Sequence, residues 1–70
     1  MENTLSSRDL HIERKHFVIE FRENDRGSFL KITEEAHGRR NSVIIPSTGL
    51  AEFGKLLGEV LQTAASPASA

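Results

Sequence analysis

Apolar and polar residues alternate along residues 15–31, the stretch of the chain with the clearest structural pattern. Phe17, Ile19 and Phe21 occupy every second position, which is typical of a strand that buries one face. The Asn-Asp-Arg-Gly sequence at 24–27 then supplies turn residues, because Asn and Asp side chains bond to the nearby backbone and Gly accepts a positive φ. The pattern predicts a β-hairpin.

The two faces of this hairpin are predicted to differ in character. Leu30 and Ile32 continue the row that contains Phe17, and this row is expected to face the core. Phe29 and Lys31 face the opposite way, on an outer face that carries cations and an aromatic ring. A register shift of one residue would exchange Phe29 for Leu30 on that face, because successive strand residues point to opposite sides.

The same kinds of pattern extend the prediction to the rest of the chain. The predicted elements are strands at 5–13, 16–23, 28–35 and 41–45, a helix at 48–64, and disordered ends at 1–4 and 65–70. A loop containing Gly38 separates the last two strands, and Pro46 ends the fourth strand because proline has no N–H to donate. Ser47 or Thr48 is expected to cap the helix by accepting a hydrogen bond from a free backbone N–H.

The predicted helix is amphipathic and too narrow to cover the predicted sheet. Its apolar stripe, at helical spacing, consists of Leu50, Phe53, Leu57, Val60 and Leu61. A helix is about 10 Å across, whereas four strands about 4.8 Å apart make a sheet about 19 Å wide. We therefore predict an α+β fold, a four-stranded antiparallel β-meander followed by one C-terminal α-helix, in which a second copy completes the core of a two-fold homodimer.

Chain length and composition favour such an association. A chain of 70 residues buries proportionately little surface when it folds alone, and no cysteine is present to add a disulfide. His11, His16 and His37 are dispersed along the sequence, without cysteine or close histidine spacing. We therefore predict no metal site and no cofactor.

The sequence also argues against several classes of protein. It contains no nucleophile with an evident base, no paired carboxylates and no glycine-rich phosphate loop, so we do not expect an enzyme. The N-terminus lacks the basic and apolar regions of a secretory signal. No apolar run approaches the roughly 20 residues that span a bilayer. We expect an intracellular protein with no membrane partner.

The charge distribution is compatible with two interpretations of the outer face. The net charge of the chain is −1, but residues 14–40 contain seven basic and five acidic residues, which leaves +2 there. Single-stranded nucleic acid needs cations for its phosphates and an exposed aromatic ring for its bases, and Arg22, Phe29, Lys31 and Arg40 provide both. Taken alone, the residues favour the other interpretation, a solvated face with weak cross-strand ion pairs.

Four segments of the chain share one register with a known family. Residues 22–32, Arg-Glu-Asn-Asp-Arg-Gly-Ser-Phe-Leu-Lys-Ile, resemble the KENxRGRFLKI segment of PUR repeats, the units of the purine-rich-element binding proteins. Residues 14–17 resemble the NKRF/Y turn of that family, residues 38–42 its GRRS segment, and residues 46–53 its PAxGLxEF segment. The resemblance covers residues 5–62, which makes it far more specific than any single motif.

This resemblance implies both a fold and a function. It implies a Whirly-like β-β-β-β-α repeat over 5–64, two copies of which intertwine into one domain; a chain with one repeat would form a homodimer. It implies binding of purine-rich single-stranded DNA or RNA and a role in transcription regulation, with the aromatic ring at the position of Phe29 stacking on bases. The predicted contact set is Arg14, Lys15, Arg22, Asn24, Phe29, Lys31 and Arg40.

An alternative function remains open at this point. Ser28 stands where the family usually has a basic residue and Glu13 where it usually has a neutral polar one, and both changes lower the positive potential of the expected surface. The chain would then be a dimerisation or protein-interaction module with the same fold and weak or no nucleic-acid binding. The dimeric single-stranded-DNA-binding transcriptional coactivators share the four-strand-plus-helix plan, but their sequences match much less well.

Overall fold

Four antiparallel strands and a C-terminal helix make up this chain. The computed structural model describes residues 1–65, and the rest of the predicted C-terminal tail lies outside the described residues. The elements are β1 (Asn3–Ile12), β2 (Lys15–Asn24), β3 (Gly27–Ala36), β4 (Arg39–Pro46), a 3-10 turn (Ser47–Gly49) and α1 (Leu50–Ala65). The strands pair in the order β1-β2-β3-β4, which confirms the predicted meander followed by one helix.

The turn between β2 and β3 forms by the chemistry that the sequence indicated. The side-chain oxygen of Asn24 accepts a hydrogen bond from the backbone N–H of Arg26 at 2.8 Å. Gly27 has a φ of 136°, which an L-residue rarely adopts. The local hydrogen bond and the glycine together close the hairpin at the predicted place.

The connection between β3 and β4 is a tight turn, and our prediction of a loop there was wrong. His37 and Gly38 have φ values of 53° and 75°, so both central residues are in the left-handed region. Two-residue turns of this kind match the twist of the flanking strands, which lets pairing continue up to the turn. Ala36 accordingly pairs with Arg39, and both strands are longer than predicted.

The strand register separates an apolar face from an outer face. The apolar face consists of Leu10, Phe17, Ile19, Phe21, Leu30, Ile32, Val43 and Ile45, as the pairing Phe21 with Leu30 and Ile32 with Val43 requires. On the outer face, Arg22 lies opposite Phe29 and Glu20 opposite Lys31. The predicted faces are therefore confirmed, and the alternative register that exchanges Phe29 for Leu30 is excluded.

The N-terminal residues extend β1 further than predicted. Asn3 pairs with Glu23 and Thr4 with Arg22, so these two residues are not disordered. A bulge between Thr4 and Ser6 leaves Leu5 without a partner on β2. The extra residue absorbs the change of register, which allows the first residues of the chain to continue along the edge of β2.

The helix begins later than predicted and without a side-chain cap. Pro46 occupies the N-cap position of the 3-10 turn, and no side-chain hydrogen bond caps it, so the prediction that Ser47 or Thr48 caps the helix was wrong. The backbone N–H of Leu50 instead donates to the carbonyl of Ser47. A 3-10 turn at the start of a helix satisfies a free backbone group in this way, which makes a side-chain cap unnecessary.

No hydrophobic side chain in residues 1–65 is buried. The helix α1 leaves the sheet after the 3-10 turn and does not pack along it, although we expected it to cover part of the apolar face. Leu57 and Val60 on α1 are 49% and 62% exposed, and Val43 on the sheet is 54% exposed. The radius of gyration is 14.5 Å, against about 11 Å for a compact chain of this length. One chain therefore presents two apolar surfaces that it does not cover itself.

Candidate nucleic-acid interface

Five of the seven predicted contact residues lie in two groups on the outer face. Arg22, Asn24, Phe29 and Lys31 lie toward the turn between β2 and β3, and Arg40 lies near the opposite end of the same face. Phe29 and Glu35, which pairs with Arg40, are six residues apart on β3. This separation corresponds to about 20 Å along the strand. A single extended ligand would have to run along the sheet to contact both groups.

The first group borders an open groove, which we call the Phe29 groove. The groove has a volume of about 580 Å³, and its lining includes Asn24, Arg26, Phe29, Lys31, Ile44 and Pro46. Phe29 is half-buried and lies between Arg22 on β2 and Pro46 on β4. Part of Phe29 lines the groove. The groove thus offers an aromatic surface beside cationic side chains.

The charges around the Phe29 groove are only partly neutralised. Arg22 forms ion pairs with Glu2 at 2.9 Å and with Glu20 at 3.2 Å. Within residues 1–65, Lys31 and Arg26 form no ion pair, so their charges are available to a ligand. Our sequence analysis missed Arg26, although its place in the turn next to the predicted contact Asn24 was a signal that could have found it.

The second group borders a shallow depression of about 440 Å³ at the turn between β3 and β4. Its lining includes Arg14, Glu35, His37, Arg39 and Arg40. Both Nε and Nη2 of Arg40 donate to the same oxygen of Glu35, at 2.9 and 2.6 Å. Hydrogen bonds from Arg40 and then from His16 lower the pKa of the Glu35 carboxyl group. Arg14 and Arg39 have no ion pair within residues 1–65, so the depression remains cationic.

The comparison with known families identifies the chain. Residues 2–68 match the profile of a family described as PurA ssDNA and RNA-binding protein. The chain belongs to the PurA family. This membership confirms the resemblance to a PUR repeat, and the family is described by nucleic-acid binding rather than by an enzymatic reaction.

Two curated proteins are similar to this chain over part of their length. Transcription factor Pur-alpha 1 of Arabidopsis thaliana is 41% identical over 49 residues, which are 70% of this chain and 17% of that protein. Transcriptional activator plp-1 of Caenorhabditis elegans is 35% identical over 60 residues, 81% of this chain and 26% of that protein. The PurA-family chain thus aligns with about a quarter or less of each relative.

One predicted contact residue of this PurA-family chain, Lys15, lies off the outer face. Lys15 pairs with Ile12 across the first turn, which places it on the apolar side of the sheet. Its Nζ lies 3.0 Å from the carboxylate of Glu34, which pairs with Phe17 of the apolar face. Lys15 and Arg14 nevertheless line one depression beside Ile12 and Phe17, so the structure separates Lys15 from the contact residues of the outer face but not from Arg14.

Two of the histidines, although dispersed along the sequence, come together on the outer face. His11 lies directly opposite His16 across the turn at 13–14, and their rings stack with centroids 4.2 Å apart. His16 also hydrogen bonds to Asp9 and then to Glu35, and these bonds raise its pKa. The equal spacing of the two histidines about a two-residue turn was the signal that could have found this contact.

The helix of the PurA-family chain does not resemble a membrane span. Within residues 1–65, no helix is long and apolar enough to cross a bilayer. The helix α1 is instead amphipathic. Its apolar stripe includes Phe53 and Leu61, and polar residues lie on its other side. A stripe of this kind is typical of a helix that packs against protein.

Proposed function

We propose that this chain binds single-stranded, purine-rich DNA or RNA as a homodimer, through its outer face. The observation that carries this proposal is the Phe29 groove, where a half-buried aromatic ring lies beside the unpaired cations Lys31 and Arg26. Base stacking on an aromatic side chain contributes about 1–3 kcal/mol per base and tolerates any base. The description of the PurA family as ssDNA and RNA-binding supports the same ligand class.

A preference for purines follows from the geometry of the proposed contact. Phe29 offers one ring, at a position that pairs with Arg22 on β2 and Pro46 on β4, and a base that stacks there contacts its exposed part. A purine has the larger aromatic surface, and modest base preferences in such proteins come from stacking strength. Asn24, at the edge of the groove, adds a side-chain amide that can donate to or accept from a base.

The homodimer is supported by the two uncovered apolar surfaces. The apolar face of the sheet and the stripe on α1 belong to the same chain but do not cover each other. In a two-fold dimer, the helix of each copy can cover the sheet of the other. One interface then buries both apolar surfaces of both copies. Burial of apolar surface contributes roughly 25 cal/mol per Å². We therefore expect folding and association of this chain to be coupled.

A role in transcription regulation inside the cell is part of the proposal. The names of the two relatives describe a transcription factor and a transcriptional activator. A protein that binds single strands through cations and a stacking ring can hold a locally opened duplex. This chain would contribute one repeat per copy to such a binding domain.

One observation favours the alternative of an interaction module with weak or no nucleic-acid binding. Arg22 and Arg40, both in the predicted contact set, are already paired with carboxylates within the chain. A phosphate would have to displace Glu2, Glu20 or Glu35 from them. Each displacement costs part of the gain from phosphate binding, so the affinity of the chain for nucleic acid would be modest.

The deciding experiment is fluorescence anisotropy with a labelled purine-rich 12-mer and its pyrimidine complement, at two salt concentrations. Salt-sensitive binding that favours the purine strand supports the proposal, because phosphate contacts release counterions. Replacement of the ring in Phe29→Ala is expected to lower the affinity about 5- to 150-fold, the equivalent of 1–3 kcal/mol. Absence of binding by a folded dimer would support the interaction module instead.

A matched variant separates stacking from packing at this position. Phe29→Leu keeps an apolar side chain of similar size but removes the aromatic surface. If the ring stacks on bases, Phe29→Leu loses most of the affinity that Phe29→Ala loses, while light scattering shows that the dimer persists. If Phe29 only supports the fold, Phe29→Leu binds nucleic acid like the unmodified chain, and only Phe29→Ala loses affinity.

A further inference from the structure

Asp9, His11 and His16 form a cluster of potential metal ligands on the outer face of β1 and β2. Asp9 and His11 are two residues apart on β1 and therefore point to the same side of the sheet. His16 lies opposite His11 on β2. One ligand atom from each of the three side chains lies within 4.8 Å of the other two. The cluster is at the surface, where an ion can enter from solvent.

The hydrogen bonds of His16 orient the ring for metal binding. Nδ1 lies 3.0 Å from a carboxylate oxygen of Glu35, and Nε2 lies 3.1 Å from Oδ2 of Asp9. When Nδ1–H donates to Glu35, the lone pair of Nε2 points at the Asp9 carboxylate. At this distance two such electron-rich atoms require a positive charge between them, which a proton on Nε2 supplies when the ring is protonated. A metal ion bound by both atoms fulfils this requirement.

Glu35 and Arg40 supply the support that metal-bound histidines commonly have. A metal-ligating histidine usually donates its other ring N–H to a carboxylate, which fixes the orientation of the ring. Glu35 occupies this position, and Arg40 in turn holds Glu35 through two hydrogen bonds at 2.9 and 2.6 Å. The successive hydrogen bonds that Glu35 accepts from Arg40 and from His16 therefore position Nε2 of His16 before any metal ion binds.

His11 can complete the site by a rotation of its exposed ring. The two imidazoles are parallel within 6°, so their nitrogen atoms do not yet converge on one point. Ligand atoms of a tetrahedral Zn²⁺ ion at about 2.1 Å lie about 3.4 Å apart. The ligand atoms of Asp9 and His16, now 3.1 Å apart, would therefore move slightly apart, while all three atoms already lie within 4.8 Å of one another. Within residues 1–65, the His11 ring makes no hydrogen bond that would resist this rotation.

We propose that Asp9, His11 and His16 bind a divalent transition-metal ion such as Zn²⁺ on the outer face of each chain. Two imidazoles and one carboxylate suit Zn²⁺ and its neighbours better than Mg²⁺ or Ca²⁺, which prefer oxygen ligands. The three side chains leave one coordination position for water. Bound metal links β1 to β2 near their shared turn and adds positive charge to the face that carries Arg40. This site is independent of the proposed nucleic-acid function.

Calorimetric titration of the untagged protein with ZnCl₂, in a buffer that does not bind metal, tests the proposal. We expect one ion per chain, and at least tenfold weaker binding for His11→Ala. Glu35→Gln is expected to weaken binding about 10- to 100-fold, as for other residues that orient a metal-bound histidine. The matched control is His37→Ala, which removes the histidine in the turn between β3 and β4 and is expected to bind Zn²⁺ unchanged.

Paramagnetic NMR identifies the ligands directly. Co²⁺ added in amounts below one equivalent is expected to broaden the ring resonances of His11 and His16 and to leave those of His37 sharp. Equal broadening of all three rings, or equal Zn²⁺ affinity of the unmodified protein and His11→Ala, would overturn the proposal. His11 is exposed and contributes no hydrogen bond within residues 1–65, so His11→Ala is expected to fold; circular dichroism verifies this.

Discussion

Removal of the two carboxylates that pair with Arg22 is expected to strengthen nucleic-acid binding. Glu2 and Glu20 lie 2.9 and 3.2 Å from the guanidinium group. In the double variant Glu2→Gln, Glu20→Gln, Arg22 keeps its place opposite Phe29 but loses both acidic partners. Its charge then becomes available to a phosphate of a strand whose base stacks in the Phe29 groove.

The size of the effect follows from the strength of exposed ion pairs and from counterion release. A partly exposed ion pair contributes about 0.2–1 kcal/mol. If phosphate binding no longer has to break two such pairs, the affinity at low salt rises about 2- to 30-fold. One additional phosphate contact on a single strand makes the slope of log K against log salt steeper by about 0.7. Between 50 and 200 mM salt, this contact alone reduces the gain by about 2.6-fold.

Fluorescence anisotropy of the purine-rich 12-mer, measured at four or more salt concentrations, provides both the affinity and the slope. The matched control is the double variant Glu52→Gln, Glu59→Gln, which changes the net charge equally but lies on α1, away from the groove. Its slope is expected to stay the same, since the altered charges contact no phosphate. An unchanged slope in the Glu2, Glu20 variant, or a gain equal to that of the control, would refute the proposed role of Arg22.

Two further predictions concern the assembly and its pH dependence. Leu57→Asp places a charge on the exposed stripe of α1. Since a buried Leu contributes about 1.5–3 kcal/mol and occurs twice per dimer, the dimer dissociation constant measured by light scattering should rise at least 100-fold. The control Lys55→Glu, on the polar side of the helix, should remain a dimer. His16→Gln removes a group whose pKa is raised above 6.5 by Asp9 and Glu35. The stabilising effect of His16 is therefore present near pH 6 and is lost as the pH rises through the raised pKa. Urea unfolding in EDTA should show His16→Gln to be less stable than the unmodified chain at pH 6 but not at pH 9.

The β2–β3 hairpin was the part of the fold most completely predictable from the sequence. Its register follows from the alternation around Phe21 and Leu30, and its turn follows from Asn24 and Gly27. All of these signals lie within a few residues of one another. Local hydrogen bonds and the two-residue period of a strand therefore determine the pairing, and through it which side of the sheet Phe29 occupies.

Which of the candidate contact residues are already ion-paired within the chain was much less predictable from the sequence. Arg22 is paired with Glu2, which lies 20 positions earlier in the sequence, and this pair depends on the bulge that lets β1 reach Asn3. Arg40 is paired with Glu35 because the turn at His37 and Gly38 is tight, where we expected a loop. Ion pairs between strands depend on strand ends and turn geometry, which residue spacing alone does not define.

The sequence by itself determined the order of the elements, the two faces of the sheet and the family of the chain, because these depend on local periodicity and on motifs in one register. The tertiary structure decided which cations are free, that His11 and His16 meet, and that α1 leaves the apolar face uncovered. These features arise from contacts between residues that are distant in sequence. Their positions depend on how whole strands end, bulge and turn, so they appear only once the chain is folded.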